Sequence, residues 1–284
     1  MKSIIWVIYV VLSLSLHANM PFQQAKKAYL SGDYLKAKNI LKKAGHSGNV
    51  EAQLDLGLMY EEGNGIKQEY DKALYWYRKA AKNGNRKAQY HIASMYEHGR
   101  GVDKNQTTAL KWYEKAAKND DVNAQYIIAT SYYEGNGIEK DHKKAVHWYK
   151  KAALQNDAQS QYNLAVIYEK GHGVKQDYDL ALEWYIEAAK NKYLNAQYNL
   201  ATLYYKGIGI KQNYEKAAYW YQQAAYQGDA QAQYILGFMF LHGQGIKMNK
   251  VLTFKYWMEA AKQSHTEAQK SLDRLCQESP WACR

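Results

Sequence analysis

Few residues of this 284-residue chain have the type and spacing that chemistry requires. Nine histidines are present without ligand spacing: His142 and His147 are five apart, which puts them on different helix faces, and no His-Glu-x-x-His or Cys-His cluster occurs. Gly-x-Gly pairs open at Gly63, Gly99, Gly135, Gly171, Gly207 and Gly243. They lack the third glycine of a dinucleotide loop and the lysine and serine of a phosphate loop. No serine is followed three residues later by lysine and no Lys-Thr-Gly is present, so serine acyl transfer lacks its nucleophile and base. No catalytic residue, metal or cofactor is expected.

Two other sets remain. Cys276 and Cys283 are the two cysteines of the chain, seven apart. In one straight helix they would sit about 10 Å apart along the axis, beyond the reach of a disulfide, so Pro280 has to turn the chain back for them to meet. In an exported protein a bridge is the economical reading; free or metal-bound thiols are the alternatives. The second set is a column of tyrosines, Tyr90, Tyr126, Tyr162, Tyr198 and Tyr234, preceded by three residues at Lys87, Asn123, Gln159, Asn195 and Gln231. Tyrosine offers rigid contact area and a hydroxyl, and Asn or Gln can bond a peptide backbone. The competing reading is that these rings pack one structural unit on the next.

The elements carrying these residues repeat every 36 positions. The stretch from Tyr193 to Gly228 shows the unit. Ala196, Leu200, Ala201 and Tyr204 have the spacing of one helix face; Ala217, Trp220, Tyr221, Ala224 and Ala225 have that of a second. Gly207 closes the first helix and Gly209 lets the chain reverse. An Ala-Gln or Ser-Gln pair recurs from Ala52-Gln53 to Ala268-Gln269, and a large aromatic at Trp76, Trp112, Trp148, Trp184, Trp220 and Tyr256. These aromatics are expected to fill the gaps between repeats. A hairpin this small cannot cover its own apolar face, so it must stack on copies of itself. The first positions, Asn49, Asn85, Asp121, Asp157 and Asp229, read as helix N-caps, with Tyr193 the exception. Prolines occur only at Pro21 and Pro280, in agreement with uninterrupted helices between them.

The run A-x-x-x-L-[GA]-x-x-Y-x-x-G-x-G-[IV], followed by K-A-x-x-W-Y-x-x-A-A, resembles the Sel1-like repeat, a relative of the tetratricopeptide repeat. Six copies are assigned to residues 49–84, 85–120, 121–156, 157–192, 193–228 and 229–264, the last departing at Thr253, Phe254, Tyr256 and Trp257. The resemblance implies an all-α fold, an α-solenoid of stacked antiparallel helix pairs in a right-handed superhelix, whose first helices line a concave face and which binds a protein or peptide there. The tyrosine column and Asn123, Gln159, Asn195 and Gln231 would then run along that face. The variable turn residues Asn64, Arg100, Asn136, His172, Ile208 and Gln244 are the second choice for a site. Some secreted proteins of this kind carry a penicillin-hydrolase label, which the missing serine, lysine and zinc ligands argue against here. A cell-wall enzyme or ligand-binding protein and a host-interaction factor remain the other functional readings.

Residues 1–18 combine one lysine, an apolar run from Ile4 to Leu16 and Ala18, the layout of a cleaved secretory signal peptide. That run is shorter than the about 20 residues that span a bilayer, so no membrane anchor is expected after cleavage, and a periplasmic or secreted location follows. Residues 21–48 read as a shortened capping hairpin turning at Ser31-Gly32, and 265–284 as a capping helix and tail. The formal charge of +11 does not point to nucleic acid. Lys2 accounts for one unit and the span 21–48 for five, six lysines against Asp33, and no repeat carries a basic stripe.

Overall fold

The computed structural model describes residues 22–283, the side chains of 282 and 283 excepted. The expected signal segment lies outside the described residues, as does the side chain of Cys283. The chain divides between Lys140 and Asp141, inside the third repeat, into two compact units.

The first unit holds α1 (residues 22–30), α2 (Tyr34–His46), α3 (Val50–Glu62), α4 (Tyr70–Lys82), α5 (Arg86–His98), α6 (Gln106–Lys118) and α7 (Val122–Glu134). The second holds α8 (His142–Ala153), α9 (Ala158–Lys170), α10 (Tyr178–Lys190), α11 (Leu194–Lys206), α12 (Tyr214–Tyr226), α13 (Ala230–His242), α14 (Lys250–Lys262) and α15 (Thr266–Glu278), followed by a 3-10 turn over Pro280–Cys283. Within each unit every helix packs on the next in sequence, so the protein is an all-α solenoid of helix pairs.

Both ends of each helix are specified locally. Asn49, Asn85, Asp121, Asp157 and Asp229 accept a hydrogen bond from the third residue on, which satisfies a free amide of the first turn, while Tyr193 makes no such cap. Asn105, Asp141, Asp177, Asn213 and Asn249 do the same for α6, α8, α10, α12 and α14, a set of caps that the sequence reading passed over, while Glu69 before α4 makes no such cap. The first glycine of each turn closes its helix in the left-handed conformation. The second has positive φ as well, and a Cβ there would collide with the preceding repeat: at Gly209 it would meet the ring of Tyr178, and at Gly245 the backbone of Tyr214. The turn is therefore pressed onto the start of the neighbouring second helix, a place only glycine fits.

The Ala-Gln pair has two functions. The alanine is wholly buried at the helix crossing, and the buried glutamine reaches back to the carbonyl of the residue eight positions earlier, in the last turn of the preceding repeat. The Gln53 amide donates to Gly45 O at 2.9 Å, and Gln125, Gln161 and Gln197 donate to Ala117, Ala153 and Ala189 O at 3.1 Å. Asn119, Asn191, Gln227 and Gln263 in turn donate to the carbonyl oxygens of Gln89, Gln161, Gln197 and Gln233. The glutamine-to-backbone bonds fix the register of one repeat on the next where apolar contact alone would allow slippage, and the bonds to the glutamine Oε1 atoms tie the two ends of one repeat together.

The aromatics of the second helices differ in depth, with Trp76 and Trp148 buried. Trp112, Trp184 and Trp220 are only half-buried, whereas the tyrosines that follow the tryptophans, Tyr77, Tyr113, Tyr149, Tyr185 and Tyr221, are the largest fully buried side chains. A phenol can be buried this far because its hydroxyl has a partner on the first helix of its own pair. Tyr77, Tyr113 and Tyr185 donate to Glu61, Glu97 and Glu169 at 2.6, 2.7 and 2.6 Å, and Tyr221 shares a hydrogen with Thr202 at 2.9 Å. At the C-terminal end Leu275 is buried and Leu272 half-buried against Trp257, Ala260 and Ala268, so α15 covers the last apolar face.

Candidate functional site

The tyrosine column lies in the second turn of the first helices, each ring half-buried, and the position one turn earlier is exposed at Lys87, Asn123, Gln159, Asn195 and Gln231. In the first unit the Tyr90 ring meets Tyr113 edge-on at 5.3 Å; Tyr126 and Asn123 occupy the corresponding positions on α7. In the second unit Tyr162 meets Tyr185 and Tyr198 meets Tyr221, both edge-on at 5.8 Å. Tyr234 is stacked on Trp257 at 6.1 Å and on His265 at 4.9 Å. Tyr90, Tyr162, Tyr198 and Tyr234 are thus anchored on the buried aromatic of their own pair and leave part of their surface to solvent.

The neighbour one repeat later modulates the column. Where Asp229 begins the next first helix, Tyr198 has a carboxylate beside it; where Tyr193 begins it, the two rings of Tyr162 and Tyr193 approach to 5.2 Å. His265 takes this place at the C-terminal end. Its Nδ1 accepts from the Ala268 amide, so Nε2 carries the hydrogen and donates to Gln231 at 2.8 Å. Burial, the main cause, holds the phenols of Tyr90, Tyr162 and Tyr198 above their ordinary pKa. They stay protonated at neutral pH and can donate as well as accept.

Behind the column lies a polar layer that the sequence reading missed. Asn199 donates to the Tyr162 and Tyr185 hydroxyls at 3.2 and 3.4 Å, and Tyr185 donates to Glu169. In the first unit Glu61 is buried, and it accepts from Tyr77, from Arg100 Nη1 at 3.0 Å and from His91 Nδ1 at 3.2 Å. Burial pulls the Glu61 carboxyl upward, but the bonds from His91 and Tyr77 and the charges of His91 and Arg100 outweigh it and hold the carboxyl below its ordinary range. A signal existed: a glutamate sixteen residues before the buried tyrosine recurs at Glu61, Glu97 and Glu169, in a place otherwise held by Tyr133, Tyr205 and Leu241.

Three of the variable turn residues reach back to the preceding repeat. Asn64 donates to the Tyr29 hydroxyl at 3.3 Å, Arg100 to Glu61, and Gln244 accepts from the Tyr205 hydroxyl at 3.0 Å. These turns are staples between repeats. Among the described residues no cluster of histidine, cysteine, aspartate and glutamate could hold a metal ion, and no helix is long and apolar enough to cross a membrane.

The model of the Sel1 repeat matches residues 50–85, 86–121, 122–157, 158–193, 194–229 and 230–265. The chain belongs to the Sel1 repeat family. Sel1 repeat proteins are generally protein-interaction scaffolds, and the solenoid is typically non-enzymatic. No curated protein sequence matches this Sel1 repeat protein. Solved structures similar to it include two at 28% and 32% identity. One is a protective antigen with an SLR fold present in uropathogenic Escherichia coli strains, at 28% identity and a TM-score of 0.82; 94% of this chain covers 58% of that one. The other is a Sel1 repeat protein from Oxalobacter formigenes, at 32% identity and a TM-score of 0.68, where 85% of this chain covers 99% of that one. The C-terminal part of a TPR repeat-containing protein from Cytophaga hutchinsonii shares the fold at 14% identity and a TM-score of 0.51.

Proposed function

We propose that this Sel1 repeat protein is an exported, non-enzymatic scaffold that binds a protein or peptide segment along the face presented by its first helices. The observation that supports this reading is the pairing of an exposed amide at Asn123, Gln159, Asn195 and Gln231 with a half-buried tyrosine one turn on. Within the second unit a chain laid across that face meets an exposed amide and a phenol in each of three successive repeats, so affinity is distributed over them. Nucleic acid has no basic stripe to follow. Export to the periplasm or beyond the cell is supported by the layout of residues 1–18, and a relative described as a protective antigen is in keeping with it.

Cross-linking in intact producing cells followed by mass spectrometry identifies the partner, and the double variant Tyr162→Ala, Tyr198→Ala tests the face. Aromatic anchors at interface centres cost about 2 kcal/mol or more each, so partner recovery should fall at least tenfold. The same protein is melted in parallel. A lowered melting temperature with unchanged recovery would show that the rings serve packing alone and would sink the assignment of this face.

A further inference from the structure

A cavity of about 400 Å³ lies in the first unit between α1, α2 and α3, with Phe22, Leu41, Leu58 and Met59 among its walls. That volume suits a ligand the size of a leucine or phenylalanine side chain with a short tail. Asp55 of α3 also lines it, half-buried, and makes no hydrogen bond or ion pair with any described residue. A half-buried carboxylate beside apolar residues and without a partner is costly, and later repeats show what that position otherwise gains. His91 and Asn199 hold the same position there, and both are satisfied, His91 by Glu61 and Asn199 by Tyr162. Among the described residues none takes that part for Asp55.

We propose that the cavity between α1, α2 and α3 binds a primary ammonium carried on an apolar body, with Asp55 supplying the counter-charge. The apolar walls take the body and the ammonium donates to the carboxylate, a charge-assisted bond strengthened by the low local polarity. Neutral and anionic ligands of the same shape leave Asp55 unpaired or repelled. The charges around Asp55 are Glu51 and Glu62 on its own helix, Lys26 on α1 and Lys87 on α5. Lys26 is exposed and forms no ion pair with Asp55, so the carboxylate is left for an incoming cation. Burial, with the Glu51 charge added, pushes the Asp55 carboxyl up to about 6. Ligand affinity therefore falls as pH drops through that value. The two tests use different residues, Asp55 in the first unit and Tyr162 and Tyr198 in the second, so either reading can fail alone.

The test is calorimetric titration of the intact protein at pH 7.5 with phenethylamine and hexylamine, against 2-phenylethanol and phenylacetate as shape-matched controls. The amines should bind at least tenfold more tightly than the alcohol, and phenylacetate not at all. Asp55→Asn, which keeps the shape and removes the charge, should lose about tenfold to a hundredfold in amine affinity and should still melt cooperatively. Glu62→Gln should change affinity far less. A blocked Leu-Lys-Leu peptide separates the sources: binding comparable to the amines assigns a lysine-bearing segment, and amine binding without it assigns a small free amine, both in accord with the proposal. Equal binding of alcohol and amine, undiminished binding by the Asp55→Asn protein, or no binding of either amine overturns it.

Discussion

Removing the Glu61 carboxylate tests whether the buried tyrosine layer depends on its polar partners. Glu61 is 7% exposed and Tyr77 is 0% exposed, so truncating the glutamate leaves the phenol with nothing to donate to and no route to water. An orphaned buried hydroxyl costs about 1–3 kcal/mol. Arg100 also loses its carboxylate partner but keeps its bond to Ser94 Oγ, and its side chain is 37% exposed and can rehydrate, which limits that contribution to roughly 1 kcal/mol. Glu61→Ala should therefore destabilise by about 2–4 kcal/mol. Combining Glu61→Leu with Tyr77→Phe removes donor and acceptor together and should recover much of the loss, because replacing both partners with apolar groups can be nearly neutral. The pH dependence has a definite sign. The folded pKa of Glu61 is depressed, so its contribution is present above the unfolded carboxyl range near 4.3 and is lost as pH falls through the folded value. The gap between wild type and Glu61→Gln should accordingly close in acid. Denaturant melts of these proteins and of the single variants Glu61→Leu and Tyr77→Phe at pH 7 and pH 3.5, with hydrogen exchange on α3 and α5, supply the readout. A loss under 0.5 kcal/mol for Glu61→Ala, or additive effects in the double mutant, would refute the argument.

The remaining predictions concern the two ends of the chain. Asp55→Asn should raise stability by about 1–2 kcal/mol at pH 7.5, since a carboxyl raised to about 6 opposes folding once ionised; the gain should vanish below pH 4, and equal melting at both pH values counts against it. Cys276 and Cys283 should form a bridge, so thiol titration of the denatured, unreduced protein should find no free cysteine, and two titratable thiols would refute it; closing so short a loop contributes about 2–3 kcal/mol at best, confined to the tail. Intact mass of the protein recovered from the producing cell should show cleavage near Ala18. A mass that retains residues 1–16 is the contrary result.

By itself the sequence determined the fold class, because a 36-residue period with fixed glycine turns and alanine faces permits only stacked helical hairpins. It also determined the N-caps of the first helices, since Asn and Asp at that place act through the next three residues alone. What the tertiary structure decided lies wherever a side chain meets another repeat. Gln53 and its counterparts read as motif letters until the preceding carbonyl was in place to accept from them. The tryptophans were expected to fill the gaps between repeats; the tyrosines beside them are the ones fully buried, because a glutamate or threonine sixteen or nineteen residues earlier satisfies the hydroxyls of Tyr77, Tyr185 and Tyr221. Arg100 and Gln244 looked like free turn residues and prove to be staples, 39 positions away from the groups they bond. Periodicity specifies which face of a helix is apolar; it carries no record of which polar group on the adjacent repeat stands opposite. For the same reason Asp55 is inconspicuous in the sequence, and its setting emerges only where α1, α2 and α3 enclose a cavity beside it.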